Sequence, residues 1–317
     1  IFSAGRKFFK DISNPPNPEK LHSKVFGPFT QLHTTIILSF LAIPALYFLI
    51  IYNSVIGILL IFTFLYIGYT LIKEGIKGGK ILRDRMIIFI ILCLFNIVFW
   101  ALFEQAGSSL TLFADRSVDR NVFGIFEMTA GQTQFFNPLF IILMGSLFSV
   151  IWVKLTERNM NPNIPAKFGF GIILLGIGYL ITYFGNFIHN DAFLVPLWII
   201  IGIYFFHTVG ELFISPIGLS MVTKLAPERM SGTLMGAWFL SFSGSNFLAG
   251  QLAKLTGANS NKAAELGEVV PAALPSAAES LSRYIDVYTV FGLIAVGVGI
   301  FVVIISPKLN KLMHGIR

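Results

Sequence analysis

The stretch that decides the fold is MIIFIILCLFNIVFWALF, residues 86–103, which contains no charged side chain and is followed directly by Glu104. A helix that crosses the hydrocarbon core of a bilayer needs about 20 mainly apolar residues. The apolar segment around it, 85–113, is long enough for such a crossing. We expect a helix, because hydrocarbon offers the backbone no partner outside the segment itself.

The composition extends this interpretation to the whole chain of 317 residues, of which 55% are hydrophobic and only 12% are charged. Soluble proteins carry about 25% charged residues, so a soluble globular domain is excluded. A search for further apolar runs of spanning length predicts eight transmembrane helices. Their expected bounds are 33–52, 55–73, 85–113, 135–154, 168–187, 194–222, 231–253 and 286–306. Cys93 is the only cysteine, so no disulfide forms within the chain.

The positive charges fall in short clusters between the apolar runs, although the formal net charge is +7. This spacing argues against a nucleic-acid partner, which would require one basic patch. Lys and Arg are enriched in cytoplasmic connections, so we place the segment before the first run, the link after the second run and the tail in the cytoplasm. The cations that decide this orientation are Arg6, Lys7, Lys10, Lys20, Lys24, Lys73, Lys77, Lys80, Arg83, Arg85, Lys308, Lys311 and Arg317.

Glu104 is the first candidate functional residue, because a carboxyl group inside an apolar run is costly and usually functional. It lies one turn after Trp100 and one turn before Ser108, on a predicted helical face that also includes Phe103. Removal from water disfavours the charged form of a carboxyl group, so Glu104 is suited to bind and release a proton. The alternative is a static ion pair with Arg or Lys of a neighbouring helix.

Glu211 is the second candidate and lies in HTVGELFISPIGLS, residues 207–220. His207 precedes it by one turn and Ser215 follows it by one turn. Pro216 removes a helix hydrogen bond and makes the helix bendable, which suits a gate. For His207 a packing role is the stronger interpretation. A metal site is not expected, because the sequence contains no HExxH motif and no second ligand cluster.

Two further segments carry polar or aromatic candidates. Asn137 in QTQFFNPLF, residues 132–140, is expected either to cap its helix or to bind a ligand. Trp238 and Phe239 precede a stripe of serines in GTLMGAWFLSFSGSNFLAG, residues 232–250. In the same segment Gly232 and Gly236 form a pattern that permits close helix packing.

These segments together resemble the proton-dependent oligopeptide transporter family, a branch of the major facilitator superfamily. FWALFEQAGSSLTLFAD, QFFNP, GELFISPIGLSMVTKLAP and GTLMGAWFLSFSGSNFLAG are similar to its seventh, eighth, tenth and eleventh transmembrane helices, in that order. Bacterial members insert a two-helix hairpin between their two six-helix bundles, and the runs at 33–73, which have no charge in their interior, lie at that place. The resemblance implies an all-α membrane protein, the C-terminal six-helix bundle of this superfamily preceded by a two-helix linker hairpin.

The domain organisation follows from this resemblance. We expect a cytoplasmic leader at 1–32, the transmembrane hairpin at 33–73, a cytoplasmic link at 74–84, the six-helix bundle at 85–306 and a cytoplasmic tail at 307–317. The first residue is not Met, and the family's first-helix motif ExxERFxYYG does not occur. We therefore expect the N-terminal bundle, with that motif, to lie outside this chain.

The resemblance also implies roles for individual residues. Glu104 matches a proton-coupling glutamate, and Glu211 matches a glutamate that faces the amino terminus of the peptide. The other residues that we expect to bind substrate are Trp100, Phe103, Asn137, Ser215, Trp238 and Phe239.

The expected function is proton-coupled symport of di- and tripeptides by alternating access in a bacterial inner membrane. The expected partners are short peptides, protons, the lipid bilayer and the N-terminal bundle; protons are the coupling ion, and no other cofactor and no enzymatic activity are expected. The alternative is a carrier of the same superfamily for another substrate, such as nitrate or drugs.

Overall fold

The computed structural model describes residues 17–122, 124–257 and 276–316, most of which are helical. Contacts divide the chain into two compact units, with the boundary between Leu59 and Leu60. Seven helical segments in the described ranges are long and apolar enough to cross a membrane. They correspond to seven of the eight predicted runs.

The first unit contains a short helix, two short strands and the first part of the apolar hairpin. Its elements are α1 (Pro18–His22), β1 (Lys24–Phe26), the antiparallel β2 (Phe29–Thr30), α2 (Gln31–Ile51) and the start of α3 (Asn53–Lys77). The Thr30 hydroxyl accepts a hydrogen bond from the backbone N–H of His33, and the His33 ring accepts one from the backbone N–H of Thr30. This reciprocal cap determines where α2 begins.

The second unit contains the remaining helices. They are α4 (Gly79–Phe103), α5 (Ser109–Ser117), α6 (Phe136–Glu157), α7 (Ile164–Leu180), α8 (Gly185–Ile188), α9 (Trp198–Leu225), α10 (Ser231–Leu255) and α11 (Ala277–Leu312). Single 3-10 turns occur at Glu104–Gly107, Gly131–Phe135, Ile181–Phe184 and Glu228–Met230. Short strands lie in the connections: β3 (Val118–Asp119) pairs in parallel with β6 (Val195–Pro196), and β4 (Asn121–Val122) pairs with β5 (Phe126–Glu127).

The core of the second unit lies between α4, α7, α9, α10 and α11, which pack against one another. Asn96 of α4 is fully buried and donates to the Ser241 hydroxyl of α10 at 2.8 Å. The later part of α3 belongs to this core as well. Its Leu71 is buried, and its Phe64 lies against Gly244 of α10.

Several element bounds differ from the sequence-based expectation. The link expected at 74–84 is almost absent, because α3 continues to Lys77 and α4 begins at Gly79. The last helix was expected at 286–306 but extends over Ala277–Leu312, so most of the expected tail is helical. The earlier start follows from the capping box of Ser276 and Glu279.

Two further expectations need correction. The segment 85–113 is not one continuous helix, because the 3-10 turn interrupts it after Phe103. The run at 231–253 forms α10, but its serines and glycines keep it outside the seven strongly apolar segments. Residues 1–16 of the leader, Arg317 and most of the polar loop before α11 lie outside the described residues.

Close helix packing through glycine occurs at a different place from the one predicted. A Cβ atom at Gly232 or Gly236 would meet open space. By contrast, α7 and α11 approach each other at two pairs of glycines, Gly169 with Gly299 and Gly176 with Gly292. The pairs are seven residues apart on each helix, which is two turns. Small residues at this spacing allow two antiparallel backbones to touch.

We expect Gly299→Ala to lower the stability of the complete protein by about 1–3 kcal/mol, the usual effect of overpacking. An ideal Cβ atom at this position lies 2.7 Å from the Gly169 carbonyl oxygen and 2.6 Å from the Ile173 side chain. The measurement is the thermal unfolding midpoint in detergent. Gly297→Ala on the same helix is the control, because its Cβ atom meets open space. Equal midpoints for the two variants would contradict the close contact.

Candidate functional site

The candidate site is built where α4 changes from α-helix to 3-10 helix at Glu104. The buried side chain of Gln105 forms hydrogen bonds with the backbone at this break. Its Nε2 donates to the carbonyl oxygen of Ala101 at 3.1 Å and to that of Ala249 in α10 at 3.0 Å. Its Oε1 accepts from the Ser109 hydroxyl at 2.7 Å, and that hydroxyl accepts from Tyr288 of α11 at 3.1 Å. These bonds fix the backbone that carries Glu104.

Glu104 lines a cavity of about 200 Å³. The cavity combines one carboxylate, two amides, two aromatic rings, a histidine and small residues. Its lining consists of Phe103, Glu104, Ala106, Gly107, Gln134, Asn137, Tyr204 and His207. It therefore offers groups for a charged end, for an amide backbone and for an apolar side chain.

Asn137 connects this cavity to Glu211. Its Nδ2 donates to Glu211 Oε2 at 3.0 Å and to Thr208 Oγ1 at 3.0 Å. Thr208 in turn donates to the Tyr204 carbonyl oxygen of its own helix at 2.7 Å. Asn137 does not cap α6, since that helix begins at Phe136 without a side-chain cap. Of the two roles that the sequence left open for Asn137, the capping role is thus not observed.

Aromatic rings form one side of the site. The Trp100 ring lies 5.0 Å from the Phe103 ring and 5.1 Å from the Phe242 ring of α10, measured between centroids. Phe103 also lies 6.1 Å from the ring of His207. His207 is almost fully buried, with its ring 4.6 Å from Tyr179. This environment agrees with the packing role expected for His207, although its ring also borders the cavity.

The two candidate carboxylates have no cationic partner in the described ranges. Neither Glu104 nor Glu211 forms an ion pair with Lys or Arg there. Instead, Glu104 and Glu211 are close enough to interact electrostatically with each other. Among the described residues, no three His, Cys, Asp or Glu side chains cluster as metal ligands would. The static ion pair considered for Glu104 is thus absent from this part of the chain.

The structure brings some predicted site residues together and leaves others apart. Glu104, Phe103 and Asn137 line the cavity, Glu211 bonds to Asn137, and Trp100 packs on Phe103. The remaining three do not line it. Ser215 and Phe239 are exposed on the helix surface, and Trp238 is only 2% exposed. The Trp238 ring packs between Gly218 of α9 and the rings of Phe89, Phe168 and Phe242.

Sequence reasoning did not select several residues that form the site, chiefly Gln105, Gln134, Tyr204 and Thr208. Gln105 and Gln134 lie within the motifs quoted for Glu104 and Asn137, so their position in the sequence was a usable signal. Tyr204 and Thr208 precede Glu211 by two turns and one turn on α9. Their helical spacing places them on the face of Glu211.

Comparison with models of known protein families identifies a match over most of the chain. The model of the POT family matches residues 1–269. Among curated relatives, Dipeptide and tripeptide permease A of Edwardsiella piscicida is 33% identical over 262 residues, which cover 82% of this chain and 48% of that protein. Dipeptide and tripeptide permease B of Aliivibrio fischeri is 31% identical over 248 residues, covering 78% of this chain and 47% of the relative. The chain thus spans about half the length of these relatives.

Solved structures with a similar fold include a peptide transporter POT in complex with sulfate, with a TM-score of 0.74 at 26% identity. A mutant of peptide transporter POT in complex with alafosfalin gives a TM-score of 0.72, also at 26% identity. Each similarity covers 99% of this chain and 59% of the other chain. The similarity therefore includes nearly all of this chain.

Proposed function

Because the chain belongs to the proton-dependent oligopeptide transporter (POT) family, we propose that it serves the proton-coupled symport of di- and tripeptides by alternating access. Family membership confirms the resemblance seen in the sequence and the expectation of a helical membrane protein with the fold of this family. The partner in this proposal is an N-terminal six-helix bundle, against which the second unit rocks to open the site on either side of the membrane.

The observation that carries the proposal is the cavity in which Glu104, Asn137 and Phe103 meet, with Glu211 bonded to Asn137. All short peptides share an ammonium end and amide groups, while their side chains vary. A carboxylate can bind the ammonium, an amide can pair with the peptide backbone, and aromatic walls accept varied side chains. We therefore assign peptide contacts to Glu211, Asn137, Phe103 and Trp100.

In this proposal the coupling of proton transport to peptide transport depends on the carboxylates of Glu104 and Glu211. When both are ionised they repel each other, and either a bound proton or a peptide ammonium removes that repulsion. In this proposal Glu104 takes the proton and Glu211 takes the ammonium, so that the two ligands cross together. Roles for Ser215, Trp238 and Phe239 in substrate binding stay predictions, since these residues lie outside the cavity.

We expect Glu104→Gln in the complete protein to abolish proton-driven accumulation of a dipeptide while sparing counterflow exchange. Glutamine keeps the size and polarity of the side chain but cannot carry the proton. The measurement is uptake of a labelled dipeptide into proteoliposomes, with and without a proton gradient.

Asp191→Asn is the matched control for this change, because Asp191 is exposed in a connection away from the cavity. The control should accumulate peptide like the parent protein. Retained accumulation in the Glu104→Gln protein would remove the proton-coupling role from Glu104.

For Glu211→Ala we expect roughly ten- to hundredfold weaker binding of a dipeptide, the usual effect of losing a hydrogen bond to a charged group. The measurement is equilibrium binding to the purified complete protein. An N-acetylated dipeptide, which lacks the ammonium, should bind the parent and the variant equally weakly. Undiminished affinity of the unmodified dipeptide would show that Glu211 does not bind the amino terminus.

We further propose that both ends of the chain lie in the cytoplasm. Arg229, between α9 and α10, pairs with Glu74 at the end of α3 at 3.4 Å. His314, after α11, pairs with Asp84 near the start of α4 at 3.0 Å. These two ion pairs support placing the basic connections after α3, after α9 and after α11 on the same face of the second unit. The positive-inside rule assigns that face to the cytoplasm.

Thiol labelling in intact cells tests this orientation. A cysteine introduced as Lys311→Cys should react with a membrane-impermeant maleimide only after the cells are permeabilised. Asp191→Cys, in the connection between α8 and β6, should react without permeabilisation. The parent chain is the control for background, because its only cysteine, Cys93, is buried. The reverse labelling pattern would contradict the orientation.

A further inference from the structure

A buried cation without a carboxylate partner lies at the start of α7. Lys167 is the fourth residue of that helix and is only 8% exposed. Its ammonium group lies 4.2 Å from the ring centroid of Trp152 on α6. Within the described residues this ammonium group forms no ion pair and no hydrogen bond. A charge in this position is costly in a membrane unless an anion meets it.

The ammonium borders a polar cavity of about 390 Å³ at this end of the bundle. The polar side chains that line it are amides, one hydroxyl and Lys167, and none of the lining residues is a carboxylate. Asn163 uses its Oδ1 to cap α7, at 2.9 Å from the backbone N–H of Ala166, which leaves its Nδ2 group as a donor. Asn159 and Asn310 contribute further amides. Such a set of donors with one cation suits a phosphate group.

A second cavity, of about 420 Å³ and lined by apolar side chains, adjoins this place between α6, α7 and α9. Pro162 lines both cavities, and Trp152 is at once a wall of the apolar cavity and the ring on which Lys167 lies. Phe213 of α9 and Phe170 of α7 also line the apolar cavity. A polar pocket and an apolar groove therefore meet at Lys167.

The charge around Lys167 strengthens the attraction for an anion. Lys224 of α9 interacts electrostatically with it, and both charges have the same sign. Two further cations are close in sequence to this place. Lys154 lies in the last turn of α6, and Arg158 is the residue that follows this helix. Basic pockets between transmembrane helices on the cytoplasmic side bind anionic lipid headgroups.

We propose that this groove binds one anionic phospholipid of the cytoplasmic leaflet. The lipid phosphate contacts the Lys167 ammonium and the amide of Asn163, while one acyl chain lies in the groove along Trp152 and Phe213. Charge complementarity selects the headgroup, and the apolar groove selects a lipid over a free phosphate ion. The site is distinct from the peptide cavity, which is lined by other residues.

The test is titration of the purified complete protein with dioleoyl-phosphatidylglycerol, with bound lipid counted by native mass spectrometry. We expect Lys167→Gln to weaken binding of the first lipid about fivefold, the effect of one lysine near an anionic surface. Dioleoyl-phosphatidylcholine, with no net charge, should bind weakly to parent and variant alike. Inorganic phosphate should not displace the phosphatidylglycerol.

Two further variants keep the result interpretable. Lys20→Gln removes the same charge from an exposed residue of the first unit that does not line the cavity, and should leave the first-lipid affinity unchanged. Lys167→Arg keeps the charge and should retain binding, which separates loss of the site from loss of folding. Equal affinities of the parent and Lys167→Gln proteins would overturn the proposal. Displacement by inorganic phosphate, or equal binding of phosphatidylcholine, would overturn the choice of an anionic lipid.

Discussion

In hydrocarbon every backbone polar group needs a partner within the protein, and this constraint governs the segment that carries Glu104. The 3-10 turn after Phe103 departs from α-helical pairing, so a buried side chain has to complete the hydrogen bonds around it. Gln105 does so by reaching both its own helix and Ala249 of α10. The candidate proton site thus lies on a break in a helix, and that break is held rigid by neighbouring helices.

Two groups of ionisable side chains in the second unit share one property. Glu104 and Glu211 at the cavity, and Lys167 at the start of α7, form no ion pair with an oppositely charged residue in the part of the chain that the structure describes. Unpaired charges are expensive in a membrane, and we propose that a ligand supplies the missing charge in both places. In our proposals the carboxylates exchange this ligand in each transport cycle, whereas at Lys167 it is part of the surrounding membrane.

Hydropathy located every main helix, because crossing a bilayer requires a long apolar run that is visible without any contact information. The candidate functional site could be predicted from the sequence only in part. Asn137 and Glu211 are 74 residues apart, and no local pattern reveals a hydrogen bond at that separation. Trp238 was expected in the site but lies in the core, because its burial depends on which helix it faces. By contrast, the capping box of Ser276 and Glu279 was a local signal for the true start of α11.

The paired glycines of α7 and α11 have a mechanical consequence. Where Gly169 meets Gly299 and Gly176 meets Gly292, no side chains intervene that could change rotamer to absorb a shift. The two helices therefore move together as one rigid unit, because sliding one along the other would break both glycine contacts at once. Any flexing inside the second unit has to occur elsewhere, and α9, with Pro216 inside it, is a helix that can bend.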